Sequence, residues 1–162
     1  MRVYCYMYEY CITHMRGSGF MNIALMAHDG KKELMVQFCI AYCGVLAKHN
    51  ICATKMTGKY VSEATGLEIE QLLPGSQGGV QQIASRVAYN EIDVLLYFRE
   101  KTDNPEAMLK DVALLQECDR SNVPTATNIA TAETIITALD RGDLDWREIW
   151  NPKSDYNRRK KF

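Results

Sequence analysis

The sequence predicts an α/β fold: a single-domain, doubly wound, mostly parallel five-stranded sheet with helices on both faces. Three observations carry that reading. From Met21 onward, apolar runs of strand length alternate with helical periods five times over. Glycines stand where helical periods stop, at Gly66 and Gly142. The 162 residues, 47% of them hydrophobic, suffice for one sizeable core. Parallel neighbours need right-handed crossovers, and crossovers cover both faces of a sheet.

Each element follows in order. The opening "MRVYCYMYEYCITHMRGSGF" places Tyr4, Tyr6, Tyr8 and Tyr10 in strand-like alternation but has no continuous apolar core of a signal peptide. Residues 1–20 are read as a poorly ordered amino-terminal extension, with an edge strand as the alternative. "NIALMA", Asn22 to Ala27, reads as a buried strand. A helix from about Lys31 to His49 follows, with Leu34, Phe38, Tyr42, Val45 and Leu46 on one face. "ICAT" is the second strand and "YVSEATG" a short helix closed by Gly66. "LEIEQLL" leads into the glycine-rich "PGSQGG", and "VQQIASRVAYN" is helical by period. "IDVLLYF", Ile92 to Phe98, is the clearest strand; an acidic loop and a helix to about Asn122 come after it. "VPTATN" and "TAETIITALDRG" complete the fifth unit. The domain is expected to span 21–152, with 153–162 a solvated basic tail.

Composition excludes several classes of function. Nineteen basic against twenty acidic residues leave no field that would draw the body to nucleic acid or lipid. No run of eighteen apolar residues is present to span a membrane. The six cysteines form no C-x-x-C pair and no Cys/His set with zinc spacing, so free thiols in a reducing cytosol are expected, with no metal and no cofactor. Cys39 and Cys43, one helical turn apart, read as small hydrophobes. Neither G-x-G-x-x-G after the first strand nor a Walker loop occurs, against dinucleotides and nucleoside triphosphates.

In a doubly wound sheet ligands bind beyond the carboxyl ends of the strands, so the loops beginning at His28, Thr54, Pro74, Arg99 and Thr127 hold the chemistry. The first, "AHDGKK", sets an imidazole, a carboxylate and an ammonium at a helix start, where free N–H groups favour an anion. Lys32 suits a phosphate there, and His28 suits donation to an oxygen that gains charge. Asp29 reads equally as N-cap of that helix or as a functional carboxylate. The second loop, "ATKMTGK", offers Thr54 and Thr57 hydroxyls with Gly58 for phosphate oxygens, or else forms an ordinary turn. Gly75 in the third lets backbone approach a ligand.

With these residues in place, the stretches "MNIALMAHDGKK", "ATGLEIEQLLPGSQGGVQQIASRVAYNEIDVLLYF", "VPTATNIATAE" and "RGDLDWREIWNP" resemble the methylglyoxal synthase family in order and spacing from about Met21 to Pro152. The resemblance implies a flavodoxin-like domain assembled as a homohexamer. It also implies a metal-free lyase that turns dihydroxyacetone phosphate into methylglyoxal and inorganic phosphate. A carboxylate removes a proton next to the carbonyl, donors hold the enediolate, and a cradle lets phosphate leave.

Carried over residue by residue, His28, Asp29 and Lys32 match the family's H-D-x-x-x-K, and Thr54, Thr57, Gly58 and Gly75 match parts of its phosphate loops. Departures fall at reactive positions. In S-G-P-x-G-G-D-Q-Q the Asp is the proposed base; here "PGSQGGVQQ" places Val80 there and Pro74 for the serine. In T-G-T-T-G, Lys55 replaces a glycine and Met56 a threonine, so Lys55 adds a positive charge. Laid on "EKTDNPEAMLK", the pattern D-P-L-x-x-x-P-H-x-x-D gives Glu100 for the first Asp, Ala107 for the His and Lys110 for the last Asp. Two readings stand. One is a cytoplasmic, impaired synthase with His28 and Asp29 surviving and Glu100 as stand-in base. The other is a silenced relative that binds phosphate or a phosphorylated metabolite through Lys32, Lys55, Thr54, Thr57 and Gly75.

Overall fold

The structure, a computed structural model, describes residues 20–147. The amino-terminal extension, the basic tail and the end of the expected domain from residue 148 onward lie outside those residues.

Strand β1 (Asn22–Ala27) leads through a 3-10 turn (Asp29–Lys31) into α1 (Lys32–Ala41) and α2 (Cys43–Leu46). Next come β2 (Asn50–Ala53), α3 (Lys55–Thr65), β3 (Ile69–Gln71), a second 3-10 turn (Gly75–Gln77) and α4 (Gly79–Ala88). Strand β4 (Val94–Phe98), α5 (Pro105–Arg120), β5 (Thr125–Ala126) and α6 (Ile129–Asp140) follow. The five strands form one sheet in the order β3-β2-β1-β4-β5, every pair parallel. The doubly wound α/β class is as expected. The strand order winds outward from β1 to both sides and differs from the 2-1-3-4-5 of flavodoxin itself.

Period-two alternation along the strands builds two cores. Ile23, Leu25, Ile51, Ala53, Val94, Leu96 and Phe98 face one side with Met35, Phe38, Val61 and Ile136 from α1, α3 and α6. Ala24, Met26, Cys52, Leu95 and Tyr97 face the other with Ile83, Val87, Leu114 and Cys118 from α4 and α5. Tyr97 brings a phenol into an otherwise apolar layer, and its hydroxyl needs a partner there. Cys39, Cys43, Cys52 and Cys118 are free thiols, and burial pushes the Cys39 thiol up to about 12 and the Cys52 thiol up to about 11. Among the described residues no helix is long and apolar enough to cross a membrane.

Three local expectations are corrected. The helix expected from about Lys31 to His49 breaks at Tyr42, which leaves helical geometry at φ −108° and ψ 21°. Helix α3 begins at Lys55 rather than near Tyr60, so "KMTG" is its first turn and not a free loop. Asp29 is not an N-cap: it opens the 3-10 turn after His28, and Lys31 precedes α1. Gly66 ends α3 at φ 74° as expected of a left-handed C-cap.

Candidate functional site

The strand ladder continues past the strands and so fixes the loops at their carboxyl ends. His28 donates its N–H to the carbonyl of Phe98 at 3.0 Å, which sets the residue after β1 beside the residues after β4. Thr54 donates to Leu25 O at 3.4 Å, Leu72 to Ala53 O at 2.8 Å and Arg99 to Thr127 O at 3.3 Å. Four successive crossovers are thereby held at one edge.

That edge encloses a cavity of about 730 Å³. His28, Asp29, Lys32, Thr54, Gly75 and Glu100, all picked out from the sequence, line it together. So do Met56, Pro74, Val80, Ala107 and Lys110, five of the departures. Thr57 is buried beneath the lining, where Thr54 Oγ1 donates to its Oγ1 at 3.3 Å. Lys55 is exposed and is not among the lining residues, and the loop at Thr127 contributes none. A second cavity of the same volume opens at the opposite edge around Asn22, Asn50 and Ile92; it holds none of the residues picked out above.

Helix starts give the cavity its polarity. The 3-10 turns at Asp29 and Gly75 and the start of α3 carry no side-chain cap from the preceding residue, while Gly30 N–H is held by Glu100 and Lys55 N–H by Leu73 O at 3.4 Å. Helix α5 starts differently, with Asn104 Oδ1 accepting from the N–H of Glu106 and Ala107. Gly75 adds room: a Cβ built there would meet only Val80 Cγ2, at 4.0 Å. Gly78 and Gly79 shape the loop instead. Gly78 takes φ 101°, and a Cβ on Gly79 would overlap the carbonyl of Leu73.

The charged groups are paired in specific ways. Lys32 Nζ donates to Asp29 Oδ1, and that bond and charge hold the Asp29 carboxyl below the usual carboxylate range. With 94% of its side chain exposed, Asp29 gains little stability from the pair. Glu100 folds back over the first turn, its Oε1 accepting from Gly30 N–H at 3.3 Å. A side chain on residue 30 would overlap that carboxylate, so the glycine makes the approach possible. Lys110 turns to Glu106, with Nζ 2.7 Å from Oε1.

Two further cavity residues, Tyr97 and Asp111, escape the motif-based reading. Tyr97 Oη donates to Asp111 Oδ1 at 2.5 Å and lies 2.7 Å from His28 Nε2. Asp111 Oδ2 lies 3.4 Å from His28 Nε2 and 3.5 Å from Arg99 Nε. On its other side His28 Nδ1 accepts from Glu100 N–H at 3.1 Å. Burial, then the Asp111 acceptor and its charge, push the Tyr97 phenol well above its ordinary value, so it stays protonated. The sequence does carry a trace of both residues. Asp111 falls on the i, i+3, i+7 stripe of Leu114 and Cys118, and Tyr97 is the one hydroxyl in "VLLYF".

Comparison with known proteins agrees with the fold. The family model described as the MGS-like domain matches residues 35–127. The methylglyoxal synthase of Caldicellulosiruptor saccharolyticus is 59% identical over 140 residues, spanning 85% of this chain and 98% of that protein. The methylglyoxal synthase of a Thermoanaerobacter species is 50% identical over 129 residues, spanning 80% of this chain and 98% of its own. Among solved structures, the crystal structure of methylglyoxal synthase from Elizabethkingia anophelis superposes with a TM-score of 0.65 at 34% identity, covering 72% of this chain and 77% of that one. With such identity running through nearly the whole length of these relatives, the chain belongs to the methylglyoxal synthase family.

Proposed function

We propose that the cavity binds dihydroxyacetone phosphate and eliminates phosphate from it to leave methylglyoxal, slowly, because the position of the family's base is occupied by Val80. One observation carries the reading: Lys32, Thr54 and Gly75 gather at uncapped helix starts in the same cavity as His28 and Glu100. The first group suits a phosphate, through an ammonium, a hydroxyl and the positive ends of helix starts. The second suits a ketone, with a carboxylate to take the proton next to the carbonyl and an imidazole that holds the backbone of that carboxylate's residue. Thr57 supports Thr54 from below, Asp29 orients Lys32, and Lys55 has no place in the cradle. Glu100 is the stand-in base, and its bond to Gly30 N–H at 3.3 Å is long enough to yield to a substrate. Homohexameric assembly is carried by the resemblance alone, and cytosolic residence by the cysteine pattern.

Valine cannot accept a proton, and a positioned acid–base group is worth about 10²- to 10⁴-fold in rate. Val80 lines the cavity, so Val80→Asp would present a carboxylate to the bound ketone. The expected outcome is slow release of methylglyoxal and phosphate from dihydroxyacetone phosphate by the wild type, with a rise of about 10²-fold or more in Val80→Asp. Wild-type turnover at the ordinary enzyme rate of about 10 s⁻¹ would refute the impairment.

A second reading, a phosphometabolite-binding module without turnover, is favoured by the aliphatic Val80 and Ala107 in the cavity wall. Thermal stabilisation by inorganic phosphate together with no product from either protein would select it. Neither product nor stabilisation would sink both.

A further inference from the structure

Tyr97 and Asp111 have no part in the reading above, yet they tie His28 into a chain of hydrogen bonds whose direction is forced from both ends. A backbone amide has a single proton and can only give it, so His28 Nδ1, 3.1 Å from Glu100 N, is the bare, accepting nitrogen. At the far end the Asp111 carboxylate accepts. The one phenolic proton of Tyr97 therefore goes to Oδ1, 2.5 Å away, and leaves the phenol oxygen to accept. His28 Nε2, 2.7 Å from that oxygen, must then donate. Both ends demand the same neutral imidazole. The opposite tautomer would point Nδ1–H at the Glu100 N–H and turn a bare Nε2 toward a phenol whose proton is already given. The imidazolium fails at Nδ1 for the same reason.

Burial gives the constraint its force. Tyr97 is 2% and Asp111 3% exposed, so water cannot replace a lost partner, and a buried polar group without one is costly. Arg99 lies against the same pair, with Nε 3.5 Å from Asp111 Oδ2 and its guanidinium carbon 5.9 Å from the Tyr97 ring centroid. It supplies the positive charge that a buried carboxylate requires. Asp111 Oδ2, 3.4 Å from Nε2, offers the imidazole proton a second oxygen in the same direction.

We propose that Tyr97 and Asp111 are positioning residues that lock His28 as the neutral Nε2–H tautomer, whose bare Nδ1 holds the Glu100 amide and so fixes the residue that carries the stand-in base. The part played by Glu100 rests on the function proposed above; the lock itself does not. It divides the chemistry: both nitrogens of His28 are engaged within the protein, and the substrate proton must be taken by a carboxylate.

The test is ¹⁵N NMR of the full-length, histidine-labelled protein at neutral pH, with His28 assigned by the signals lost in His28→Gln. The expected wild-type spectrum has Nδ1 in the unprotonated range and Nε2 in the N–H range. A protonated Nδ1, or two shifts averaged by exchange, would overturn the lock. In Tyr97→Phe the two shifts are expected to move toward averaging. For dihydroxyacetone phosphate, kcat is expected to fall about tenfold with KM changed by less than about twofold. Unchanged shifts with unchanged kcat would overturn the assignment. Should Tyr97→Phe not fold, the wild-type spectrum decides. Should the wild type release no methylglyoxal, the proposed function fails while the ¹⁵N spectrum still judges the lock.

Discussion

In the proposed function, Lys32 is the side chain on which phosphate recognition turns, because it sets an ammonium in the cavity at the start of α1. Its ammonium rests on Asp29, an exposed carboxylate that holds it weakly. A phosphate offers a charge-assisted bond worth about 1.5–3 kcal/mol, so Lys32→Ala is expected to weaken phosphate binding about ten- to hundredfold. The measurement is the phosphate-induced shift in thermal midpoint; an unchanged shift would remove Lys32 from the cradle. At this scale the motif residues were legible because their types state their chemistry. Asp111 was not, since its role depends on which way it faces on α5. Lys110 holds the position that pattern matching selects, and Asp111 lies about 100° further round the helix. That rotation turns one residue to Glu106 and the other to Tyr97. Only packing reveals the difference.

The glycine-rich element between β3 and α4 divides its work among three glycines. Gly79 permits α4 to start against the backbone of Leu73 and Pro74, while Gly75 leaves open space on the cavity side. Gly79→Ala is therefore expected to cost about 1–3 kcal/mol, as overpacking does. For a chain of this size the thermal midpoint falls by about 2–4 °C per kcal/mol. Gly75→Ala should stay within about 0.5 kcal/mol of wild type, since no protein atom crowds its Cβ. A larger loss in Gly75→Ala than in Gly79→Ala would contradict the division. The βα alternation was plain in the sequence because buried strands such as Val94–Phe98 are apolar without interruption. Helix starts were less so. A helix that begins without a side-chain cap, as α3 does after Thr54, gives no local signal, whereas Asn104 and Asn128 announce α5 and α6.

Across the whole molecule, a buried ion pair closes the edge opposite the cavity. Asp93 Oδ2 accepts from Asn22 N–H at 2.8 Å just before β4, and Arg147 Nε lies 3.6 Å from Asp93 Oδ1. Burial, the leading cause for both, raises the Asp93 pKa and lowers that of Arg147. An acid with a raised folded-state pKa contributes stability that is fully present below its unfolded value and is lost as pH rises through the folded one. Removing the arginine would raise Asp93 further. Arg147→Met is expected to cost about 3 kcal/mol at neutral pH, and the deficit should shrink as pH falls toward the carboxylate range. A deficit independent of pH in thermal melts would exclude the pair. The cavity edge has its own dependence on the completed fold. The ring of His28 is carried by β1, but its protons are arranged by the amide after β4 and a carboxylate on α5. A nascent chain that has paired only its first two strands holds an imidazole free to exchange its proton between nitrogens. The hydrogen-bond partners that set its tautomer come from distant segments, so that tautomer belongs to the docked sheet rather than to the first strand alone.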